Sequence, residues 1–261
     1  MSIVELPVAL AIYLLFIALV CGACAGSFLN CAALRYVTGE KLSRGRSHCP
    51  DCGHILGGLD LFPLLSWLLL KGKCRYCGAK VAGRYPLTEA LSALVWCTTA
   101  ARFGPTWQTV EHCLLFSLLL VLALIDYDTL EIPGGLLIAG IGVFIMFLPA
   151  YEPLTRLKWG LIAGAALGGA LLIISLIMDK VLGRESMGGG DIKLFALLGL
   201  FTGPGTGLFL VILSCVAGLV FAFSRKAKGK PFPVGPAIAL AAWPALLLGP
   251  GIVDWYLGLF L

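Results

Sequence analysis

The chain has 261 residues, of which 59% are hydrophobic and only 13% are charged, and its net charge is +5. This composition excludes a soluble domain of the same length, because such domains carry about 25% charged residues. Segments that face lipid must form α-helices or closed β-barrels, which satisfy their own backbone polar groups. Apolar runs of about 20 residues without strict alternation favour helices.

Eight apolar segments are predicted to span a membrane. The first is too long for a signal peptide and is preceded by Glu5 rather than by basic residues, so we expect it to be retained. The sixth is short and is separated from the seventh by Gly203-Pro204-Gly205, where irregular backbone can line a cavity. The segments are 7–31, 86–104, 109–127, 133–150, 158–179, 192–203, 205–223 and 233–257. The predicted fold is an all-α polytopic membrane protein with about eight transmembrane helices.

The basic residues predict the orientation of these helices. Sixteen of the 19 Lys and Arg residues fall in the polar segment 32–85 and in the connections 180–193 and 224–232, which lie on one side. The positive-inside rule places that side in the cytoplasm and both termini outside it. We therefore expect three regions: a first transmembrane helix (1–31), a cytoplasmic loop (32–85) and a transmembrane domain (86–261). Basic residues scattered among loops do not indicate a nucleic-acid partner.

Four of the ten cysteines lie in the polar loop, in the pairs Cys49-Pro-Asp-Cys52 and Cys74-Arg-Tyr-Cys77. Each pair is followed by glycine, as in the tight turn of a zinc knuckle. Two knuckles predict a tetrahedral four-cysteine zinc site, which is structural because four protein ligands leave no open position. A reducing cytoplasm disfavours the alternative of disulfides. A loop this small would gain much of its folding energy from the metal.

Two carboxylates lie at the ends of long apolar segments. Asp126 closes the third predicted span, and Asp191 comes just before the sixth. In the predicted topology both lie at the cytoplasmic end of their helices, at the same depth. An ionisable group at membrane depth is a functional-site hypothesis by default. The simpler interpretation is that each carboxylate ends a helix at the headgroup level, but a pair of them favours acid–base chemistry.

Asp191 follows a run of three glycines, Gly188 to Gly190. Glycine permits positive φ angles and lets another backbone approach closely. Gly188 and Gly190 are therefore candidates for the place where an extended peptide lies against the second aspartate. The alternative is a plain flexible turn.

Seven sequence blocks in this order resemble the bacterial type IV prepilin leader peptidases. The blocks are GSFLNCAALR (26–35), SHCPDCGHIL (47–56), PLLSWLLLKGKCRYCG (63–78), RYPLTEA (84–90), ALIDYDTLEIP (123–133), MGGGDIKLFALLG (187–199) and PFPVGPAIALAAW (231–243). The resemblance implies an aspartic peptidase of the bacterial inner membrane, similar to the wider GxGD intramembrane proteases, which include presenilin. It implies cleavage of the leader peptide from type IV prepilins or from the pseudopilins of type II secretion.

The resemblance also assigns roles to individual residues. The family's catalytic aspartates correspond to Asp126, in the pattern Asp-x5-Ile-Pro, and to Asp191, in Gly-x-Gly-Asp. Asp128 also lies near this motif, but the spacing to Ile132-Pro133 favours Asp126. Members with a four-cysteine loop methylate the new N-terminal residue with S-adenosylmethionine. We expect that methyl donor near residues 47–89, in contact with Glu89, although Glu89 could instead cap or pair at the start of the second span.

Two alternatives come from other functional classes. A proton-coupled transporter could use Asp126 and Asp191 as a relay, since transporters also hold carboxylates at membrane depth. The sequence lacks the inverted repeat with matching broken helices that would support this alternative. A membrane scaffold that recruits a partner through the zinc loop would explain the cysteines and leave the glycine-rich aspartate motif without a role.

Overall fold

The computed structural model of the chain describes residues 3, 6–41, 45–224 and 232–259, and this part of the chain is mostly helical, except for the segment between residues 39 and 83. Glu5, Arg44 and the basic residues of the last connection (Arg225, Lys226, Lys228 and Lys230) lie outside the described residues. The helices are α1 (Val8–Thr38), α2 (Leu65–Leu69), α3 (Arg84–Phe103), α4 (Trp107–Thr129), α5 (Gly134–Phe147), α6 (Pro153–Leu182), α7 (Gly189–Ser224) and α8 (Gly235–Leu257), with a 3₁₀ turn at Leu148–Ala150.

Five of the helices are long and apolar enough to cross a membrane, namely α1, α4, α6, α7 and α8. The all-helical membrane fold is confirmed, whereas the predicted count of eight spans is not. The segment predicted at 86–104 forms α3, whose polar side chains, among them Thr88, Glu89 and Ser92, are buried within the protein. The segment predicted at 133–150 forms α5, which has only 14 residues before the 3₁₀ turn.

The sixth and seventh predicted spans correspond to the two helical halves of α7, which meet at a break at Gly203. The backbone of Gly203 has φ 69° and ψ 178°, which interrupts the helix inside its range Gly189–Ser224. Residues with a side chain rarely adopt this φ, and the following Pro204 has no N–H to leave unpaired. The Gly-Pro-Gly sequence therefore predicted where the first half of α7 ends and the second half begins.

The chain divides into two compact units, Met1–Cys113 and Leu114–Leu261. In the first unit, α1 packs against α3 through glycines. An added Cβ at Gly22 would lie 2.8 Å from the carbonyl oxygen of Ser92, and one at Gly26 would lie 2.8 Å from the carbonyl oxygen of Thr88. Small residues let membrane helices approach this closely. The segment between the two helices carries the four cysteines of the two knuckles.

In the second unit, α6 and α8 both pack against α7. The closest approach of α6 and α7 is backbone to backbone, since an added Cβ at Gly199 would lie 2.6 Å from Cα of Gly164. On the α8 side, an added Cβ at Gly249 would lie 2.5 Å from Cγ2 of Thr206. These contacts fix α7, which begins next to Asp191, within the core of the unit.

Candidate active site

Asp126 lies in the last turn of α4 and is only 5% exposed. Its Oδ2 accepts a hydrogen bond of 2.8 Å from the backbone N–H of Gly235, the first residue of α8. The C-terminal end of α4 and the N-terminal end of α8 are thereby joined through one carboxyl group.

Asp191 lies in the first turn of α7 and is 8% exposed. Its Oδ1 is buried and has no hydrogen-bond partner among the described residues. The Asp126 carboxyl group is close enough to exert a coulombic effect on it. The second unit therefore brings the two predicted aspartates into one buried site.

The neighbouring Asp128 occupies a different environment. It is exposed, as is Tyr127, whereas Asp126 is buried. Helix α4 ends just beyond it, and Leu130 adopts a left-handed φ of 60° before the Ile132-Pro133 turn. The structure thus separates the two aspartates by burial, and the catalytic role of Asp126 stays a prediction.

The glycines before Asp191 are sites of close approach. An added Cβ at Gly188 would lie 3.1 Å from Oδ2 of Asp191, and one at Gly190 would lie 2.9 Å from Cβ of Ile132. The Ile-Pro turn that follows Asp126 therefore packs against the glycine run that precedes Asp191. A side chain at Gly190 would force Ile132 to shift, whereas one at Gly188 would require only a small movement of the Asp191 carboxyl group.

Sequence analysis missed Gly235. An added Cβ there would lie 2.7 Å from Oδ2 of Asp126. The residue belongs to the block PFPVGPAIALAAW, in which a Gly-Pro pair starts a helix. That pair signalled a helix start, but nothing in the sequence indicated that the helix begins against Asp126.

The four predicted zinc ligands come together in the first unit. The Sγ atoms of Cys49, Cys52, Cys74 and Cys77 all lie within 4.8 Å of one another. The Sγ atoms of Cys49 and Cys77 are 3.9 Å apart, close to the edge of about 3.8 Å expected for a tetrahedron with Zn–S bonds of about 2.3 Å. The donor set and its spacing therefore fit one zinc ion.

The backbone of the second knuckle favours a metal-binding thiolate. Hydrogen bonds from the backbone N–H groups of Cys77 and Tyr76 lower the pKa of the Cys74 thiol to about 7. Gly53 and Gly78 end the two knuckles with φ angles of 69° and 72°, and each donates its N–H to the carbonyl of the first cysteine of its pair. Both glycines therefore form the predicted tight turns.

Asp60 ties the segment between the knuckles to the second knuckle. It accepts hydrogen bonds from Nε of Arg75 at 2.6 Å and from the hydroxyl of Tyr76 at 3.1 Å. The bond from Arg75 is the main reason why the pKa of Asp60 lies below its usual value. The ring of His54 stacks on Tyr76, with the ring centroids 3.5 Å apart. His54 thus has a packing partner near the four sulfurs.

Glu89 is 7% exposed on α3, and its Oε2 accepts a hydrogen bond of 2.7 Å from the backbone N–H of Leu64. Leu64 has a left-handed φ of 62°. On α1, the fully buried Asn30 accepts a hydrogen bond of 3.1 Å from Nε of Arg84, and its Nδ2 has no partner among the described residues. Glu89 therefore holds the loop, and its contact with a cofactor stays a prediction.

Two family sequence models match the chain. The bacterial peptidase A24 N-terminal domain matches residues 20–103, and the type IV leader peptidase family matches residues 113–223. Prepilin leader peptidase/N-methyltransferase of Aeromonas salmonicida (strain A449) is 38% identical over 225 residues, which cover 83% of this chain and 76% of the relative. The chain belongs to the prepilin leader peptidase/N-methyltransferase family.

Further relatives in the prepilin leader peptidase/N-methyltransferase family extend the match over nearly the whole chain. The protein of that name from Bacillus subtilis (strain 168) is 33% identical over 250 residues, 94% of this chain and 98% of the relative. The one from Neisseria gonorrhoeae is 31% identical over 223 residues, 83% of this chain and 77% of the relative. No solved structure matches the chain.

The two family models divide the chain much as the structure does. The N-terminal model covers the four cysteines and Glu89, and the leader peptidase model covers Asp126 and Asp191. Gly235 lies beyond the residues matched by either model. The contact between Gly235 and Asp126 is therefore an observation of the structure alone.

Proposed function

We propose that this chain cleaves the leader peptide from type IV prepilins or type II secretion pseudopilins and N-methylates the new N-terminal residue. The observation that carries the proposal is the pair of buried carboxyl groups, Asp126 and Asp191, within electrostatic range of each other in one unit. The chain belongs to a family whose relatives are named for both activities.

Peptide hydrolysis needs one ionised and one protonated carboxyl group. Two carboxyl groups held close together do not both ionise readily, because the two negative charges repel each other. Such a pair therefore retains one proton. The ionised group takes a proton from a water molecule, whose oxygen attacks the scissile carbonyl carbon. The protonated group donates a hydrogen bond to the carbonyl oxygen. When the tetrahedral intermediate collapses, the C–N bond breaks and the departing amine takes up a proton, which regenerates the pair.

Gly188 and Gly190 are the proposed contact for the extended substrate. A peptide must be extended to be cut, and the two glycines already permit close approach by Asp191 and Ile132. A side chain at either position would displace a neighbour that carries or supports a carboxyl group. We therefore expect these glycines to support cleavage by leaving room for the substrate backbone, and not by taking part in the reaction.

The zinc ion is proposed as structural. Cys49, Cys52, Cys74 and Cys77 would complete its tetrahedral shell and leave no position for water or substrate. Its binding energy would stabilise the loop between α1 and α3, which offers little apolar core of its own. The ion would therefore support the loop without taking part in peptide hydrolysis.

For methylation, we propose that S-adenosylmethionine binds in the first unit, next to Glu89 and Asn30. The methyl donor supplies an electrophilic methyl group to the new N-terminal amine. Glu89 would face its positive charge, and the Asn30 amide, whose Nδ2 lacks a partner among the described residues, has an available donor. The chemistry of these two residues fits a small, charged, polar ligand.

The chain is a multi-pass protein, and its relatives and apolar helices favour the bacterial inner membrane. We propose that both termini lie outside the cytoplasm and that residues 32–85 form the cytoplasmic loop between the first helix (1–31) and the peptidase domain (86–261). This orientation requires α3 and α5 to cross the bilayer and the two halves of α7 to cross it separately, as in the eight predicted segments. In this orientation Asp126 and Asp191 face the cytoplasm, where a leader peptide is accessible. The bilayer and the prepilin are the partners that the proposal requires.

The transporter alternative has no support from the relatives named above, which carry peptidase names. One experiment separates the functional classes. Purified chain is reconstituted into liposomes with a prepilin and S-adenosylmethionine, and the pilin is analysed by gel mobility and by mass spectrometry of its N-terminus. We expect a shortened, methylated pilin. Proton uptake without any cleavage would support the transporter and overturn the proposal.

A further inference from the structure

We propose that Gly235 is a positioning residue of the peptidase site, which orients Asp126 by its backbone N–H and by its lack of a side chain. This inference rests on the proposed peptidase function. Gly235 does not touch the substrate in the proposal; it acts through the carboxyl group that does.

The hydrogen bond to Asp126 replaces a helix cap. The first N–H groups of an α-helix have no partner within the helix and need an acceptor. The residue before α8, Val234, makes no side-chain cap hydrogen bond. Oδ2 of Asp126 fills this role from α4, at 2.8 Å from the Gly235 nitrogen. The N-terminal end of a helix also carries partial positive charge, which attracts a carboxylate.

The position tolerates only glycine without movement of Asp126. A Cβ at Gly235 would lie 2.7 Å from Oδ2 and 3.1 Å from both Cβ and Cγ of Asp126. All three atoms belong to the short side chain of one aspartate, which is buried and cannot swing into solvent. Any larger residue must therefore turn or push the carboxyl group away from its present orientation.

The two carboxyl groups of the site differ in how they are held. Asp126 is fixed through Oδ2, whereas Oδ1 of Asp191 is buried without a partner among the described residues. Buried polar atoms normally have a partner. None of the described residues supplies one to this oxygen, so the protein holds the Asp191 carboxyl group less firmly than that of Asp126. In the proposal, the Gly235 N–H holds the Asp126 carboxyl group in one orientation, and Asp191 and the substrate adjust to it.

Gly235→Ala tests the inference. We expect kcat for prepilin cleavage to fall about a hundredfold, because a shift of about 1 Å in a catalytic group costs that much. KM should stay within about twofold of the wild type, because uniform binding of the substrate is unchanged. Gly134→Ala is the matched control: Gly134 also begins a helix, and an added Cβ there meets nothing within 4 Å. That variant should cleave as the wild type does.

The outcomes separate the inference from the proposed function. Wild-type kcat in Gly235→Ala would overturn the inference and leave the peptidase in place. If Gly235→Ala lost activity in proportion to a fall in its thermal unfolding midpoint, or if its KM rose as much as its kcat fell, Gly235 would have only a structural role. Either result would also overturn the inference. If the wild type itself does not cleave, the proposed function fails.

A second measurement does not require the Gly235 variant to fold. In protein labelled with 15N-glycine in detergent micelles, the Gly235 amide proton should resonate downfield. It should move upfield in Asp126→Asn, whose neutral side chain is a weaker acceptor, and stay near its wild-type position in Asp191→Asn. No shift in Asp126→Asn would overturn the proposed hydrogen bond.

Discussion

The backbone N–H of Leu64 donates a 2.7 Å hydrogen bond to Oε2 of Glu89, and this bond ties the cysteine-bearing segment to helix α3. Leu64 holds a left-handed φ of 62°, which is costly for a residue with a branched side chain. The carboxyl group of Glu89 therefore has a structural role. If it also contacts a cofactor, it must do so while it holds the Leu64 N–H.

Glu89→Gln and Glu89→Ala separate these two roles. Glutamine keeps an oxygen acceptor for the Leu64 N–H but removes the negative charge, whereas alanine removes both. If Glu89 faces the cationic methyl donor, Glu89→Gln should raise KM for S-adenosylmethionine about tenfold, since a charge-assisted hydrogen bond contributes about 1.5–3 kcal/mol. Zinc content should not change. Normal methylation by Glu89→Gln, with loss only in Glu89→Ala, would leave Glu89 a purely structural residue.

Asp126→Asn and Asp191→Asn should each lower prepilin cleavage at least about a hundredfold, because each removes one member of a general acid–base pair. Both variants should still insert into the membrane. The matched control is Asp128→Asn, which changes an exposed aspartate two residues from Asp126 and should retain most of the activity. Cleavage is measured by gel mobility of the pilin. Normal processing by purified Asp126→Asn would refute the assignment.

Purified chain should contain about one zinc ion, since four thiolates complete one tetrahedral shell. Cys49→Ser should lower the zinc content and make the loop between α1 and α3 more sensitive to protease. Cys215→Ser is the control, because Cys215 is an exposed cysteine outside the four-sulfur cluster. Elemental analysis measures the metal. Wild-type protein without zinc and with all four thiols reactive would contradict this prediction.

Cleavage and methylation should depend on different residues. Cys74→Ser should methylate poorly while it still cleaves, because Cys74 belongs to the first unit and both aspartates belong to the second. Asp191→Asn given pre-cleaved pilin should still methylate it. Mass spectrometry of the pilin N-terminus measures both products. Failure of the aspartate variant to methylate pre-cleaved pilin would mean that the two activities are not separable in this way.

The close approach of Gly164 and Gly199 predicts a stability effect. Gly199→Ala should destabilise the second unit by about 1–3 kcal/mol, the usual cost of overpacking, because its new Cβ would meet backbone atoms 2.6–2.9 Å away. Gly169→Ala on α6 is the control, since an added Cβ there meets nothing within 4 Å. Unfolding in mixed detergent measures the difference. Equal stability of the two variants would show that α6 and α7 can move apart freely.

Local sequence signals predicted which residues come together better than they predicted the architecture. The four cysteines and the two aspartates were each marked by their residue type and spacing, and the structure brings each set together. The count of eight spans is not confirmed: α3 is not among the five candidate spans, because polar residues such as Thr88, Glu89 and Ser92 lower its hydropathy. Gly235 lies 109 residues from Asp126 in the chain. A contact between residues so far apart in sequence depends on how the helices pack, and local sequence patterns do not predict that packing.

The break at Gly203 has a consequence for the depth of the aspartates. A straight helix of the length of α7 would measure about 54 Å, far more than the hydrocarbon core of about 30 Å. The break lets the half before Gly203 pack against α6, through Gly199 and Gly164. The half after it packs against α8, through Thr206 and Gly249, and also against Leu167 of α6, through Gly207. The half that carries Asp191 is held by several protein contacts, in which Ala196, Leu197 and Leu200 pack against glycines of α5 and α6. We therefore expect the position of Asp191 within the second unit to stay the same when the bilayer thickens or thins.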